Sequence, residues 1–153
     1  LGLKTACVEK ENLGGVCLNW GCIPSKALLK TAEFAFQIQD AGAWGLTVGD
    51  VGIDYEAVIG RSRKVSKKFE RGVGSLFKKY GVTSILGTAT ITGRGTVSVT
   101  TKDGEKTITA DHIVVATGAR ARTFPGIVPD GERIFYISNP ALGLWASRGR
   151  LSD

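Results

Sequence analysis

Apolar side chains recur along this chain with two different periods, and the two periods alternate. Several short segments are rich in apolar or β-branched residues that run continuously or alternate with polar ones, a pattern typical of strands. These segments are residues 3–8, 82–86, 88–91, 96–101, 106–109 and 113–116. Two longer segments between the first and second of them repeat apolar residues every three or four positions, which predicts helices. Strands that alternate with helices predict the α/β class.

The first helix is predicted to begin around the second of two nearby cysteines and to reach about Ala41, where Gly42 can end it. Pro24 is expected at the first helical position, because proline lacks an N–H and its φ is already helical.

The second helix is predicted over residues 55–80, with Asp54 as its N-cap and Gly81 just past its end. Its apolar positions share one face, which we expect to be buried, and we expect its many lysines and arginines to lie in solvent. The apolar positions are Val58, Val65, Phe69, Val73, Leu76 and Phe77. Gly72 and Gly74 fall inside this helix, where each glycine costs about 1 kcal/mol. They predict either a close approach to another backbone or to a cofactor, or a break in the helix.

The strands after residue 87 differ in kind. Gly93-Arg94-Gly95 and Asp103-Gly104 separate three alternating segments and supply the turn chemistry of a β-meander. Residues 113–116 are apolar throughout, which predicts a strand that is buried on both faces.

Composition narrows the class of protein. Of the 153 residues, 42% are hydrophobic and 22% are charged, which predicts a globular domain with one core. No apolar run is long enough to cross a bilayer. The net charge is +6, but no nucleic-acid-binding motif accompanies it, so we expect neither nucleic acid nor membrane as a partner. Three cysteines are too few for a secreted disulfide scaffold. We therefore expect a reducing compartment, either the cytoplasm or an organelle matrix.

The chemistry of the chain is concentrated at Cys17 and Cys22, five positions apart at a predicted helix start. Unpaired N–H groups and the helix dipole stabilise a thiolate there, and the two sulfurs could close a small ring. Two other interpretations are half of a metal site and a pair of inert buried thiols. A metal site would need further ligands, and the remaining Cys7 and His112 lie far away in sequence. Cys7 lies in the first predicted strand, where we expect it to be buried and unreactive.

The glycines around the cysteines favour a bound ligand. Gly14, Gly15 and Gly21 leave the backbone bare, which suits a planar molecule lying close against it.

Two segments carry a resemblance to a known family. Residues 8–29, which include Gly-Gly-Val-Cys-Leu-Asn-Trp-Gly-Cys-Ile-Pro-Ser-Lys at positions 14–26, resemble the redox-active region of the FAD-dependent pyridine nucleotide–disulfide oxidoreductases. Residues 113–122, with Ala-Thr-Gly-Ala at 116–119, resemble the strand and turn that return the chain to the flavin. The resemblance runs to about Pro129 and is strongest to the members that oxidise dihydrolipoamide.

The resemblance implies a Rossmann-like FAD-binding domain with a parallel sheet and an inserted β-meander. Residues 1–136 would form part of this domain, truncated at both ends, and residues 137–153 would form a poorly matching tail. The glycine fingerprint that holds the pyrophosphate is expected just before residue 1. We therefore expect FAD binding by this chain alone to be weak or absent.

The resemblance also implies residue roles. Cys17 would be the thiol that meets the substrate, Cys22 the thiol that contacts the flavin, and Lys26 the lysine near the flavin's reactive nitrogen. Glu9 would bind the adenosine ribose. The implied cofactor-binding residues are Glu9, Lys10, Gly14, Gly15, Val16, Cys17, Lys26, Gly87, Thr88, Ala89, Thr117, Gly118 and Ala119. No metal site is implied.

The implied activity is oxidation of dihydrolipoamide to lipoamide through a redox-active Cys17–Cys22 disulfide, FAD and NAD, with the NAD site outside this chain. The substrate would be carried on a lipoyl domain of a 2-oxo acid dehydrogenase complex, and the full-length enzyme would be a homodimer. The base would come from the partner subunit, so the chain alone is expected to lack turnover. Two alternatives are a related flavin enzyme that reduces mercuric ion or glutathione disulfide, and a truncated non-catalytic chain that binds flavin or a protein.

Overall fold

The computed structural model describes residues 2–119, 122–123 and 125–128. The predicted boundary at residue 136 and the predicted tail over residues 137–153 lie outside them. The elements of the described residues are β1 (Ala6–Glu9), α1 (Gly15–Asn19), α2 (Cys22–Gln39), a 3₁₀ turn (Ala41–Trp44), α3 (Tyr55–Lys79), β2 (Thr83–Leu86), β3 (Thr88–Gly93), β4 (Thr96–Thr101) and β5 (Gly104–Thr109). This mixture of helices with parallel and antiparallel strands confirms the α/β class. Among the described helices, none combines the length and the apolar character that a membrane span requires.

The described chain forms two compact units. The strand unit comprises residues 2–15 and 69–118, and the dithiol unit includes residues 16–68. All five described strands belong to the strand unit. Helix α2 and all of α1 except Gly15 belong to the dithiol unit.

In the strand unit, β1 and β2 pair in parallel, with Ala6 opposite Thr83 and Glu9 opposite Leu86. The predicted strands over residues 3–8 and 82–86 therefore both form, although β1 begins three residues later than the pattern predicts. Beyond the ladder, the N–H of Gly87 donates to the carbonyl oxygen of Glu9 at 2.9 Å. The carboxyl end of β1 and the start of the meander therefore lie together.

The meander forms as predicted, with strand order β3-β4-β5 and antiparallel pairing throughout. Gly95 and Gly104 adopt positive φ at the two turns, which explains why glycine occupies both positions. Val99 in the central strand is fully buried. A Cβ atom added at Gly87 would lie 2.6 Å from the carbonyl oxygen of Thr100. Gly87 is therefore required because the backbone of β4 passes directly beside it.

Both ends of α3 follow the predicted capping. The Asp54 carboxylate accepts the N–H of Ala57 at 3.0 Å, which is the N-cap hydrogen bond. At the other end, Gly81 has a φ of +67°. The N–H of Val82 donates to the Phe77 carbonyl at 2.9 Å, and together these features form a Schellman motif.

The predicted buried face of α3 is wrong. Phe69 and Leu76 are each 51% exposed, and the other four positions of the apolar stripe are half-buried. The buried residues of this helix are Ser62 and Ser66. The side chains that are covered most closely on this helix are therefore small and polar.

The glycines of α3 do not break it, because the helix is continuous from Tyr55 to Lys79. No other backbone approaches Gly72 closely, since a Cβ there would meet no protein atom within 4 Å. At Gly74 the nearest atom would be Cδ1 of Leu13 at 3.8 Å, an ordinary van der Waals contact.

Helix α2 ends earlier than predicted. Its last residue is Gln39, and the N–H of Asp40 donates to the Phe36 carbonyl at 3.1 Å. Gly42 is not the terminator, because it continues into the 3₁₀ turn, and the left-handed residue is Gly45 with a φ of +73°. Pro24 is the third residue of α2, where its missing N–H has no intrahelical acceptor in any case.

The predicted strand over residues 113–116 does not form, and these residues are exposed rather than buried on two faces. Val114 is 88% exposed. A strand needs a neighbour for its backbone groups, and in the described residues the parallel sheet contains only β1 and β2. The apolar sequence alone does not supply that neighbour.

Candidate functional site

The two cysteines of the motif lie at a junction between two helices. Helix α1 spans a little over one turn and ends with the N–H of Trp20 bonded to the Val16 carbonyl at 2.7 Å. Gly21 separates it from α2, whose first hydrogen bond runs from the N–H of Ser25 to the Gly21 carbonyl at 3.1 Å. Cys22 is the first residue of α2. It therefore lies at the positive end of an 18-residue helix.

Cys17 and Cys22 form a disulfide with their Cα atoms 4.7 Å apart, within the usual range. Both cysteines are exposed. The interpretation of an inert buried pair is therefore wrong. In the part of the chain that the structure describes, no three His, Cys, Asp or Glu side chains are grouped so that they could hold a metal ion. The arrangement is that of an accessible disulfide closed over one short loop.

Glycines shape the backbone on both sides of Cys17. Gly14 and Gly15 have φ values of +102° and +70°, a region that other residues rarely adopt. A Cβ added at Gly15 would meet nothing within 4 Å, so the backbone there is open to a ligand. Gly21 differs, because a Cβ there would lie 3.4 Å from Cα of Cys17. The ends of α1 and α2 therefore lie in van der Waals contact at Gly21.

Two arginines of α3 contact this region, and sequence reasoning missed both by placing them on a solvated face. Nη1 of Arg63 donates to the Asn19 carbonyl at 2.9 Å, and its guanidinium lies 5.3 Å from the centroid of the Trp20 ring. Nη1 of Arg61 donates to the Ala27 carbonyl at 3.0 Å. Trp20 was the feature of the sequence that could have indicated such a contact, because a tryptophan in a short loop needs a group to cover its ring.

Val16 and Lys26, two of the predicted cofactor-binding residues, belong to the same unit. Lys26 is exposed on α2, one helical turn after Cys22, and Val16 is 46% exposed. Both side chains are accessible to a ligand at this surface.

Glu9 and Lys10 lie in the strand unit at the carboxyl end of β1 and just after it. Oε1 of Glu9 accepts the N–H of Glu11 at 2.8 Å, which fixes the direction of the carboxylate. Nζ of Lys10 lies 3.9 Å from Oε1 of Glu11, an exposed ion pair. The edge beyond the carboxyl ends of parallel strands is where α/β sheets bind ligands.

The structure brings Gly87 to Glu9 through the hydrogen bond described above. Thr88 and Ala89 are exposed and begin strand β3, as the pattern predicts. The position that a side chain would occupy at Gly87 is already filled by β4. Thr117, Gly118 and Ala119 are exposed and lie outside the helices and strands, with a φ of +74° at Gly118.

Cys7 is the remaining cysteine, half-buried in β1 opposite Ser84. Burial raises the pKa of its thiol, and the negative charge of Glu9 raises it further. A raised pKa disfavours the thiolate, so Cys7 is a poor nucleophile at neutral pH. This agrees with the predicted passive role of Cys7, although its burial is only partial.

This chain resembles known proteins in both sequence and structure. The sequence model of the pyridine nucleotide-disulphide oxidoreductases matches residues 1–141. A dihydrolipoyl dehydrogenase of Rhizobium etli is 46% identical over 151 residues, covering 88% of this chain and 31% of that protein. The mitochondrial dihydrolipoyl dehydrogenase of Pisum sativum is 40% identical over 147 residues, covering 94% of this chain and 29% of that protein.

Among solved structures, the crystal structure of LpdA from Mycobacterium tuberculosis aligns with a TM-score of 0.79 at 23% identity. The alignment covers 92% of this chain and 31% of that chain. This likeness confirms the predicted Rossmann-like fold.

The chain spans about a third of the length of the relatives that it matches. The family model covers residues 1–141 of this chain, including both cysteines of the disulfide. This chain belongs to the pyridine nucleotide-disulphide oxidoreductase family.

Proposed function

We propose that this chain is the part of a dihydrolipoyl dehydrogenase that carries the redox-active disulfide and contributes to the FAD site. The observation that carries the proposal is the exposed Cys17–Cys22 disulfide at the N-terminus of α2. The 46% identity to a dihydrolipoyl dehydrogenase supports dihydrolipoamide as the substrate, rather than mercuric ion or glutathione disulfide.

The chemistry is thiol–disulfide exchange. A thiolate of dihydrolipoamide attacks Sγ of Cys17, the Cys17–Cys22 bond breaks, and Cys22 leaves as a thiolate. The second thiol of dihydrolipoamide then attacks the substrate sulfur that is bonded to Cys17 in the mixed disulfide, and Cys17 is released as a thiolate. Lipoamide leaves as a cyclic disulfide, and the two electrons and two protons that it has lost remain with the enzyme.

The position of Cys22 makes its thiolate a better leaving group than that of Cys17. Cys22 is the first residue of α2, where free N–H groups and the helix dipole stabilise negative charge. A thiol with a lowered pKa leaves faster in exchange. We assign attack to Cys17 and departure to Cys22 on this basis.

The residues present fit an FAD site. Glu9 offers a carboxylate for the adenosine ribose, with Lys10 beside it, and Gly14, Gly15 and Val16 offer backbone that a flat ligand can approach. The remaining residues that we propose for this site are Cys17, Lys26, Gly87, Thr88, Ala89, Thr117, Gly118 and Ala119. FAD, when bound, supplies a two-electron acceptor for the dithiol and a hydride donor for NAD. Lys26 would contribute a positive charge, which favours negative charge on a neighbouring group.

The wider setting follows from the same proposal. The substrate would arrive on a lipoyl domain of a 2-oxo acid dehydrogenase complex, NAD would bind to parts of the enzyme other than these residues, and the enzyme would be a homodimer. Such an enzyme works in the cytoplasm or in an organelle matrix.

Thiol counting tests the proposal. Before reduction, alkylation under denaturing conditions should label only Cys7; after incubation with dihydrolipoamide it should label all three cysteines, with Cys17 and Cys22 appearing together. The Cys7→Ser variant should lose one label in each state and keep the paired response. If dihydrolipoamide leaves the count unchanged, or if a disulfide forms through Cys7, the proposed function is wrong.

A further inference from the structure

Four residues lie inside the disulfide ring: Leu18, Asn19, Trp20 and Gly21. Their backbone conformation decides whether Sγ of Cys17 and Sγ of Cys22 can meet. Asn19 is buried, with 7% of its surface exposed, and Trp20 is half-buried. The ring is therefore covered by other parts of the dithiol unit, although the sulfurs that close it are accessible.

Arg63 provides part of that cover and touches the ring twice. Its Nη1 donates to the Asn19 carbonyl at 2.9 Å across 44 positions of sequence, and its guanidinium carbon lies 5.3 Å from the centroid of the Trp20 ring. A guanidinium within about 6 Å of a tryptophan ring is attracted to its face. A hydrogen bond from a charged donor is stronger than one between neutral groups. Both contacts are made in the loop conformation in which the disulfide is closed.

Arg61 offers a comparison within the same helix. Its guanidinium also bonds a backbone carbonyl across a helix pair, but that carbonyl belongs to Ala27, five residues beyond Cys22. Arg61 therefore joins α3 to α2 without touching the ring. The two arginines separate the effect of holding the ring from the effect of packing the helices.

We propose that Arg63 is a positioning residue for the Cys17–Cys22 couple, which holds the loop in the shape that brings the two sulfurs together. This inference rests on the proposed redox function of the disulfide. Reduction breaks the S–S bond and takes two electrons and two protons from a dithiol reductant, which itself becomes a disulfide. An interaction that favours the closed ring favours the oxidised state. Loss of Arg63 should therefore shift the equilibrium toward the dithiol.

The test equilibrates the whole chain with mixtures of reduced and oxidised dithiothreitol at neutral pH. The fraction of Cys17 and Cys22 in the dithiol state is read by acid quenching, alkylation and mass spectrometry. We expect Arg63→Ala to shift the equilibrium constant about tenfold toward the dithiol, or about 30 mV for a two-electron couple. The matched control Arg61→Ala should stay within about twofold of the parent.

Variants of Trp20 keep the test decisive if Arg63→Ala does not fold. Trp20→Phe keeps an aromatic face for the guanidinium and should stay near the parent, whereas Trp20→Leu should shift in the direction of Arg63→Ala. The double variant that combines Arg63→Ala with Trp20→Leu should shift by less than the sum of the single variants, because both changes remove the same Arg63–Trp20 contact.

Each alternative result is distinct. A parental equilibrium in a folded Arg63→Ala chain overturns the inference, and so does an equal shift in Arg61→Ala or strict additivity of the Arg63 and Trp20 changes. A parent chain whose Cys17 and Cys22 do not cycle reversibly in these buffers overturns the proposed function instead, and the inference falls with it.

Discussion

Replacing Gly87 by alanine would place a Cβ atom 2.6 Å from the carbonyl oxygen of Thr100 and 3.0 Å from Cγ1 of Val99. The φ of Gly87 is not positive, so the backbone conformation itself suits alanine and the penalty is purely steric. Thr100 cannot move aside easily, because it pairs with Thr88 on one side and with Glu105 on the other. Overpacking of this kind costs about 1–3 kcal/mol, and the rigid obstacle places Gly87→Ala toward the upper end of that range.

The matched control is Gly72→Ala in helix α3, where an added Cβ would meet nothing within 4 Å. Alanine exceeds glycine in helix propensity by about 1 kcal/mol, so this variant should be more stable than the parent. Urea unfolding followed by far-ultraviolet circular dichroism measures both changes, with midpoints expected to move in opposite directions. With a denaturant slope of about 1–3 kcal/mol per molar, the Gly87→Ala midpoint should fall by about 1 M. A Gly87→Ala midpoint equal to the parent's would refute the steric argument.

Two further predictions concern local electrostatics. Asp54→Ala removes the acceptor of the Ala57 N–H and should lower the free energy of unfolding by about 1 kcal/mol. The control Asp50→Ala makes an equal change of charge in the preceding loop and should leave the urea midpoint nearly unchanged. Equal losses of stability in the two variants would exclude the cap as the cause. With the disulfide intact, alkylation of Cys7 by iodoacetamide should rise with pH around a midpoint above that of an unstructured thiol, because burial and then the charge of Glu9 raise the pKa of its thiol and only the thiolate reacts. Glu9→Gln should lower that midpoint, and a midpoint that does not move would show that the Glu9 charge has no effect on Cys7.

Local signals predicted the parts of the structure that local chemistry decides. The ends of α3 follow from Asp54 and Gly81, because capping needs only residues within one turn. The turns of the meander follow from Gly95 and Gly104 for the same reason. The cysteine spacing predicted a small ring, and the structure closes it.

The errors concern features that depend on residues distant in sequence. The pattern of α3 located its apolar stripe, but the neighbouring elements decide which face is covered, and they cover Ser62 and Ser66. The predicted strand over residues 113–116 has the right composition, yet a strand forms only against a partner. Arg63 belongs to the same class, because only the fold reveals that the ring of Trp20, distant in sequence, lies under its guanidinium.

The closeness of Cys17 and Cys22 in sequence limits what their bond contributes to folding. They are five positions apart, and a loop of about six residues gains only about 2 kcal/mol from closure in the chain-entropy view, against nearly 5 for a loop of 100 residues. Opening the ring therefore releases little chain entropy and leaves the hydrogen bonds of α2 and α3 in place. The proposed function requires the disulfide to break and reform in every cycle, and a bond that contributes so little to folding can do so while the rest of the chain stays folded.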